Sequence, residues 1–174
     1  ELVAGSDVTM ERAKQVGIEG VDLYDDYRKI LERDDIDGVV IATSTDTHEE
    51  VIKAASAAGK HMFCEKPIAT TLEAIDEVLG IVKKAGVKFM VGFNRRFDPT
   101  FKHVWELVQN GTVGNPMIVN ITRRDPQPPH IEYLKVCGGI FFDTTVHDFD
   151  MARYLSGKEI YEVYATGSVL VDER

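Results

Sequence analysis

The sequence predicts an α/β protein, with a doubly wound parallel sheet followed by a second, more antiparallel part. Three observations predict it. Short apolar runs alternate with amphipathic stretches through the first half of the chain. Two of those runs are hydrophobic almost without interruption, as strands buried on both faces of a parallel sheet are. Beyond Asn94 the style changes to polar–apolar alternation, which suits a sheet with one face in water.

The elements follow in order. Leu2-Val3-Ala4 reads as the first strand; Gly38-Val39-Val40-Ile41-Ala42, His61-Met62-Phe63-Cys64 and Val87-Lys88-Phe89-Met90-Val91 read as the next three. Between them lie helical patterns. Thr47 with Glu50, and Thr70 with Glu73, have the spacing of a capping box, and Gly59, Gly86 and Gly111 stand where helices should stop. Leu72, Ile75, Leu79 and Val82 fall on one helical face. Further on, Asp98 is placed to cap a helix that carries Pro99 at its first position and Phe101, Val104, Trp105 and Val108 on one side. Met117 to Thr122 and Tyr161 to Val171 alternate like strands. We therefore place a boundary near Asn94, giving a partial dinucleotide-binding domain over residues 1–94 and a partial substrate-binding domain over 95–174.

Composition narrows the function. The 174 residues carry 29 acidic and 20 basic side chains, a net charge of −9, which disfavours binding to nucleic acid or to anionic membranes. No run has the length of a membrane span, Glu1-Leu2-Val3 lacks the features of a signal peptide, and the expected setting is the cytoplasm. Cys64 and Cys137 are far apart and form no C-x-x-C pair, and the five histidines are scattered, so neither a disulfide nor a metal site is expected.

In an open parallel sheet the chemistry sits beyond the carboxyl ends of the strands, where Lys66 falls within Cys64-Glu65-Lys66-Pro67. Read alone, Lys66 is better taken as a surface lysine before a turn proline. Asp7 closes a strand that looks like the second of a dinucleotide fold, where a carboxylate accepts hydrogen bonds from the adenosine ribose of NAD and repels a 2′-phosphate. Taken alone, an Asp there is better read as a turn or cap residue. No G-x-G-x-x-G turn occurs, so the first βα unit is expected to be missing, and this chain by itself is expected to bind NAD poorly and to be inactive. Asp143 and His147 stand four residues apart, a spacing that puts them on one face of a helix and suits proton transfer, although by itself it is better read as a surface pair.

Cys64-Glu65-Lys66-Pro67, Asn94-Arg95-Arg96-Phe97-Asp98 and the stretch from Gly138-Gly139 through Asp143 and His147 to Asp150 occur here in that order. Together they resemble the glucose–fructose oxidoreductase/inositol dehydrogenase/rhizopine catabolism (Gfo/Idh/MocA) family along the whole chain. The resemblance implies a Rossmann domain followed by an α/β domain with an open, mainly antiparallel sheet that often mediates dimers or tetramers. It implies NAD-dependent oxidation of a polyol or sugar hydroxyl, with closing strands beyond Arg174. It places Lys66, Asp143 and His147 on the family's catalytic lysine, aspartate and histidine. By the same resemblance Thr43, Ser44, His48 and Glu65 line the cofactor, and Arg95 and Asp125 face the polyol. Arg123 stands where some relatives have histidine, and the loop at Thr43-Ser44-Thr45 lacks a proline the family often has. Two alternatives stay open: a glycosidase of the same superfamily that uses NAD transiently, and a non-catalytic protein that keeps the fold.

Overall fold

The structure is a computed structural model that describes residues 1–15, 17–135 and 137–169. The chain divides into two compact units, Glu1–Gly92 and Phe93–Arg174.

In the first unit β1 (Ala4–Ser6), α1 (Met10–Gln15), β2 (Asp22–Tyr24), α2 (Arg28–Leu31), β3 (Gly38–Ile41), α3 (Thr45–Ala57), β4 (His61–Cys64), α4 (Leu72–Ala85) and β5 (Phe89–Val91) alternate strictly. All strand pairs are parallel. β1 pairs with β2, and β3, β4 and β5 form a second sheet in that order. A parallel neighbour needs a crossover, which α1, α3 and α4 supply within the two sheets, while α2 leads from one sheet to the other. The first strand starts two residues later than the pattern suggested, at Ala4. The unit of β2 and α2 has no counterpart in the sequence reading, because Asp22-Leu23-Tyr24 is too short and too polar to register as an apolar run.

Burial explains β3 and β4. Ile41, Met62 and Cys64 pack with Val51, Ile52 and Ala55 of α3 and with Ile68, Val78 and Val82 into one core. The α4 stripe is rotated from the expected one. Ile75, Val78 and Val82 face the core, while Leu72 and Leu79 are exposed. Neither capping box forms at its expected position. Thr71 caps α4, accepting from the Ala74 amide at 3.2 Å, and α3 begins at Thr45, two residues before Thr47. Gly86 ends α4 at φ 70°, a left-handed conformation.

In the second unit a 3₁₀ turn (Asn94–Phe97) leads to α5 (Pro99–Gln109), followed by α6 (Ile131–Leu134), a π turn (Phe141–Thr145) and α7 (Val146–Ser156). Asp98 caps α5 as expected, its carboxylate accepting from the Thr100 and Phe101 amides at 2.8 and 3.2 Å. The expected antiparallel strands are absent among the described residues. Residues 117–122 and 161–169 pair with nothing, and Met117, Ile118, Tyr161 and Tyr164 lie largely in solvent. Residues 170 and 171 of the second pattern lie outside the described residues. Alternation prepares a strand, but the ladder needs a second strand to accept and donate its hydrogen bonds.

Candidate active site

The carboxyl ends of β3, β4 and β5 are level, since Ile41 pairs with Cys64 and Cys64 with Val91. The ladder runs one step further. Glu65 donates its amide to the Ile41 carbonyl at 2.9 Å, and Gly92 donates to the Cys64 carbonyl at 2.8 Å. The loops carrying Thr43-Ser44, Glu65-Lys66-Pro67 and Gly92 therefore emerge side by side, at the edge where open α/β sheets bind ligands.

Glu65 folds back over this edge. Its carboxylate lies so close to Gly92 that a Cβ there would stand 3.0 Å from Oε2, and Oε2 accepts from the Lys66 amide at 3.3 Å. A side chain at residue 92 would press on that carboxylate and displace it, a close approach with no local signature in the sequence. The Lys66–Pro67 peptide bond is cis. Cys64, buried completely, has its thiol pushed up to about 12 by loss of solvation, with the Glu65 charge adding to the effect. It is a packing residue rather than a nucleophile.

His48 stands in the first turns of α3 and is 1% exposed. Its Nδ1 lies 2.8 Å from the Pro67 carbonyl and its Nε2 lies 3.0 Å from the Thr43 carbonyl. The Thr47 hydroxyl donates to the Ser44 carbonyl at 2.8 Å and lies 2.7 Å from the Thr43 hydroxyl. Asp7, at the end of β1, accepts the Thr9 amide on Oδ1 at 2.8 Å, forming a local turn. This is the turn role weighed for it above.

In the second unit Gly138 and Gly139 take φ of 79° and 83°, turning the chain into the π turn that holds Asp143. A Cβ on Gly138 would also press within 3.3 Å of Phe142. π turns close on the fifth residue rather than the fourth, and they concentrate at functional sites. The four-residue spacing of Asp143 and His147 thus spans the change from π turn to α7. The Tyr133 hydroxyl donates to Asp143 Oδ1 at 2.6 Å, a bond that holds the phenol proton and pushes its pKa up to about 12. Arg123 Nη1 donates to the Thr144 carbonyl at 3.0 Å, and its Nε lies 3.5 Å from Asp125. The His147 ring meets Phe93 edge-on, with centroids 6.5 Å apart.

Arg95 and Arg96 are fixed by α7. Arg95 Nη1 donates to Asp148 Oδ1 at 2.5 Å; Arg96 grips Asp150 with Nε and Nη2 at 2.9 and 2.5 Å. Asp148 and Asp150 are therefore ion-pair partners rather than helix-end charges alone. The Arg96 guanidinium also lies over the Tyr154 ring, which stacks on Trp105 at 5.4 Å. The structure thus places Thr43, Ser44, His48, Glu65 and Lys66 together in the first unit, and Arg95, Asp125, Asp143 and His147 in the second. Asp125 has a long contact to Arg123 among the described residues. Tyr133 escaped the sequence reading, since a contact across ten residues leaves no periodic trace.

Residues 1–93 match the family described as "Oxidoreductase family, NAD-binding Rossmann fold", and residues 101–174 match the "GFO/IDH/MocA C-terminal domain". The chain is 48% identical to the myo-inositol 2-dehydrogenase of Thermotoga maritima over 99% of its own length and 52% of that protein's. It superposes on the crystal structure of a probable dehydrogenase from Thermotoga maritima with a TM-score of 0.93 and 47% identity, covering 99% of this chain and 53% of the other. A Lactobacillus casei scyllo-inositol dehydrogenase with bound NAD(H) and scyllo-inositol matches with a TM-score of 0.73 and 29% identity, over 91% of this chain and 49% of that one. The chain spans about half the length of the curated relatives it matches. Parallel strands with level carboxyl ends, a lysine at that edge and the paired family matches lead to one conclusion: the chain belongs to the Gfo/Idh/MocA oxidoreductase family.

Proposed function

We propose that the protein is an NAD-dependent dehydrogenase that oxidises a secondary hydroxyl of a polyol, with myo-inositol as the leading substrate and the inosose as product. One observation carries the reading: Lys66 stands at the aligned carboxyl edge of β3–β5, in a chain 48% identical to a myo-inositol 2-dehydrogenase. In this reading residues 1–94 handle the dinucleotide and 95–174 handle the substrate and assembly.

The edge suits a dinucleotide. The Glu65 carboxylate lies against Gly92 at that edge, and the Thr43 and Ser44 loop emerges next to it. Thr43, Ser44, Glu65 and Asp7 would hold NAD, with Asp7 on the ribose. NAD supplies the hydride acceptor when bound.

Lys66 donates to the substrate oxygen and stabilises the negative charge that grows there as the C–H bond breaks. His147 Nδ1 or Nε2 takes the hydroxyl proton. Asp143 orients the imidazole and favours its protonated form, while Tyr133 anchors the same carboxylate through Oδ1. Arg95 and Asp125 face the remaining hydroxyls. The family's dimer or tetramer would cover the apolar side chains of residues 117–121 and 160–164, several of which lie in solvent here. Two free cysteines fit a reducing cytoplasm.

The test is turnover of the protein at its natural full length with NAD and a panel of inositols and pyranoses. Accumulating NADH in step with polyol consumption is expected. Glycoside cleavage without net NADH would point to the glycosidase alternative, and NAD binding with neither reaction would sink the enzymatic reading.

A further inference from the structure

His48 is buried at the edge where Lys66 stands, and the proposed chemistry leaves its ring unused. With 1% of its surface exposed it has almost nothing to offer a cofactor directly. What it touches is backbone. Nδ1 faces the Pro67 carbonyl at 2.8 Å and Nε2 faces the Thr43 carbonyl at 3.0 Å. Both partners are acceptors, so each bond requires a ring N–H. A neutral imidazole donates to one carbonyl at a time, and an imidazolium donates to both.

The two carbonyls belong to different loops. The last backbone bond described between them is Glu65 amide to Ile41 carbonyl; past it the chains separate toward α3 and α4. The His48 ring spans that opening. Its own position is set from behind, because Val51 and Ile52 of the same helix are buried in the core. The far end of the span is the residue immediately after Lys66.

We propose that His48 is a positioning residue for Lys66: a buried crosspiece that ties the Lys66–Pro67 segment at one end to the Thr43 loop at the other. The proposal rests on the reading that Lys66 holds the substrate oxygen. The two ends have separate consequences. The Pro67 end fixes the backbone that carries the catalytic lysine, and the Thr43 end fixes a loop that lines the cofactor.

Half-clamps separate these ends. Asn presents an amide N–H near the place of Nδ1 and keeps the Pro67 end; Gln reaches the place of Nε2 and keeps the Thr43 end. Leu keeps neither. In the full-length protein, His48→Gln and His48→Leu should lower kcat about 100-fold, the scale of a small misplacement of a reacting group. His48→Asn should retain about tenfold more kcat than His48→Gln and weaken NAD binding about tenfold instead. Equal kcat losses in the Asn and Gln variants, tracking their loss of thermal stability, would overturn the proposal and leave His48 a plain structural residue.

A second measurement does not depend on turnover. The NMR signal of the reductively methylated Lys66 amine, identified by its loss in Lys66→Arg, should shift in His48→Gln and stay near the wild-type position in His48→Asn. If no inositol or sugar is oxidised by the wild type, the dehydrogenase reading fails while this signal still decides the clamp. Should the variants not fold, the wild-type ring decides. Slow exchange of a His48 ring N–H with solvent supports the crosspiece, and rapid exchange of every ring proton overturns it.

Discussion

The two units hold their candidate residues by different means. In Glu1–Gly92 the edge carrying Lys66 is set by burial, since Ile41, Cys64 and Ile52 beneath it are all at most 2% exposed. In Phe93–Arg174 the apolar side chains described as buried are Cys137 and Met151, and the polar contacts are the more specific ones. There Asp143 is held by Tyr133, the Thr144 carbonyl by Arg123, and α7 by the pairs Arg95–Asp148 and Arg96–Asp150. Apolar packing is insensitive to the direction of a contact, whereas hydrogen bonds and ion pairs fix direction and fail one at a time.

The contrast can be broken by substitution. The largest effect is expected for Ile52→Ala, which empties a fully buried position under β3 and β4 and should cost about 2–5 kcal/mol, read as a lower midpoint in denaturant. A smaller loss would mean the core collapses into the space. Arg96→Ala removes the partner of Asp150, whose side chain is 6% exposed. Because the Arg96 side chain is 40% exposed, water can replace part of what it gives, and the expected cost is about 1–3 kcal/mol. Hydrogen exchange should report that loss in α7; unchanged protection there would show that polar contacts do not hold the unit. Asp98→Ala removes a cap of α5 with two amide bonds and should cost about 1 kcal/mol, concentrated in the first turn of that helix.

The smallest effect near neutrality is a pH dependence of the first unit. The Cys64 thiol ionises in the unfolded chain near its ordinary value of 9.0 and in the folded chain at about 12. Between these values the folded state holds the proton that the unfolded state has lost. The contribution is therefore complete below pH 9 and declines as pH rises toward about 12. Cys64→Ala should flatten that alkaline decline in unfolding curves measured across the range; an unchanged slope would assign it to other groups.

How far the sequence could be read follows the same division. The strands β3 and β4 were legible as unbroken apolar runs, but the burial on both faces that such runs suggested is not seen: Ile41, Met62 and Cys64 enter the core, whereas Val40 on the other face is 73% exposed. The Asp98 cap was legible because a cap acts within three residues. β2 was not, being three residues of mixed character held by pairing with β1. The α4 face was misplaced because its apolar positions are too many to define one stripe, and contact with α3 selected Val78 over Leu79. The antiparallel strands foreseen after Asn94 depended on partners that alternation cannot supply. Within the candidate site, Lys66, Asp143 and His147 were visible as motif residues. Their supports are Gly92, Tyr133 and the two carbonyls at His48, and none of these contacts follows the helical or strand periods that a sequence displays.

The central claim is that a lysine on a packed edge and a histidine on a polar helix serve one oxidation. It is tested most directly by His147→Ala in the full-length protein, with NAD affinity and steady-state NADH formation measured side by side. Loss of the general base should lower turnover about 10²–10⁴-fold with NAD affinity nearly unchanged. Turnover equal to that of the wild type would contradict the account.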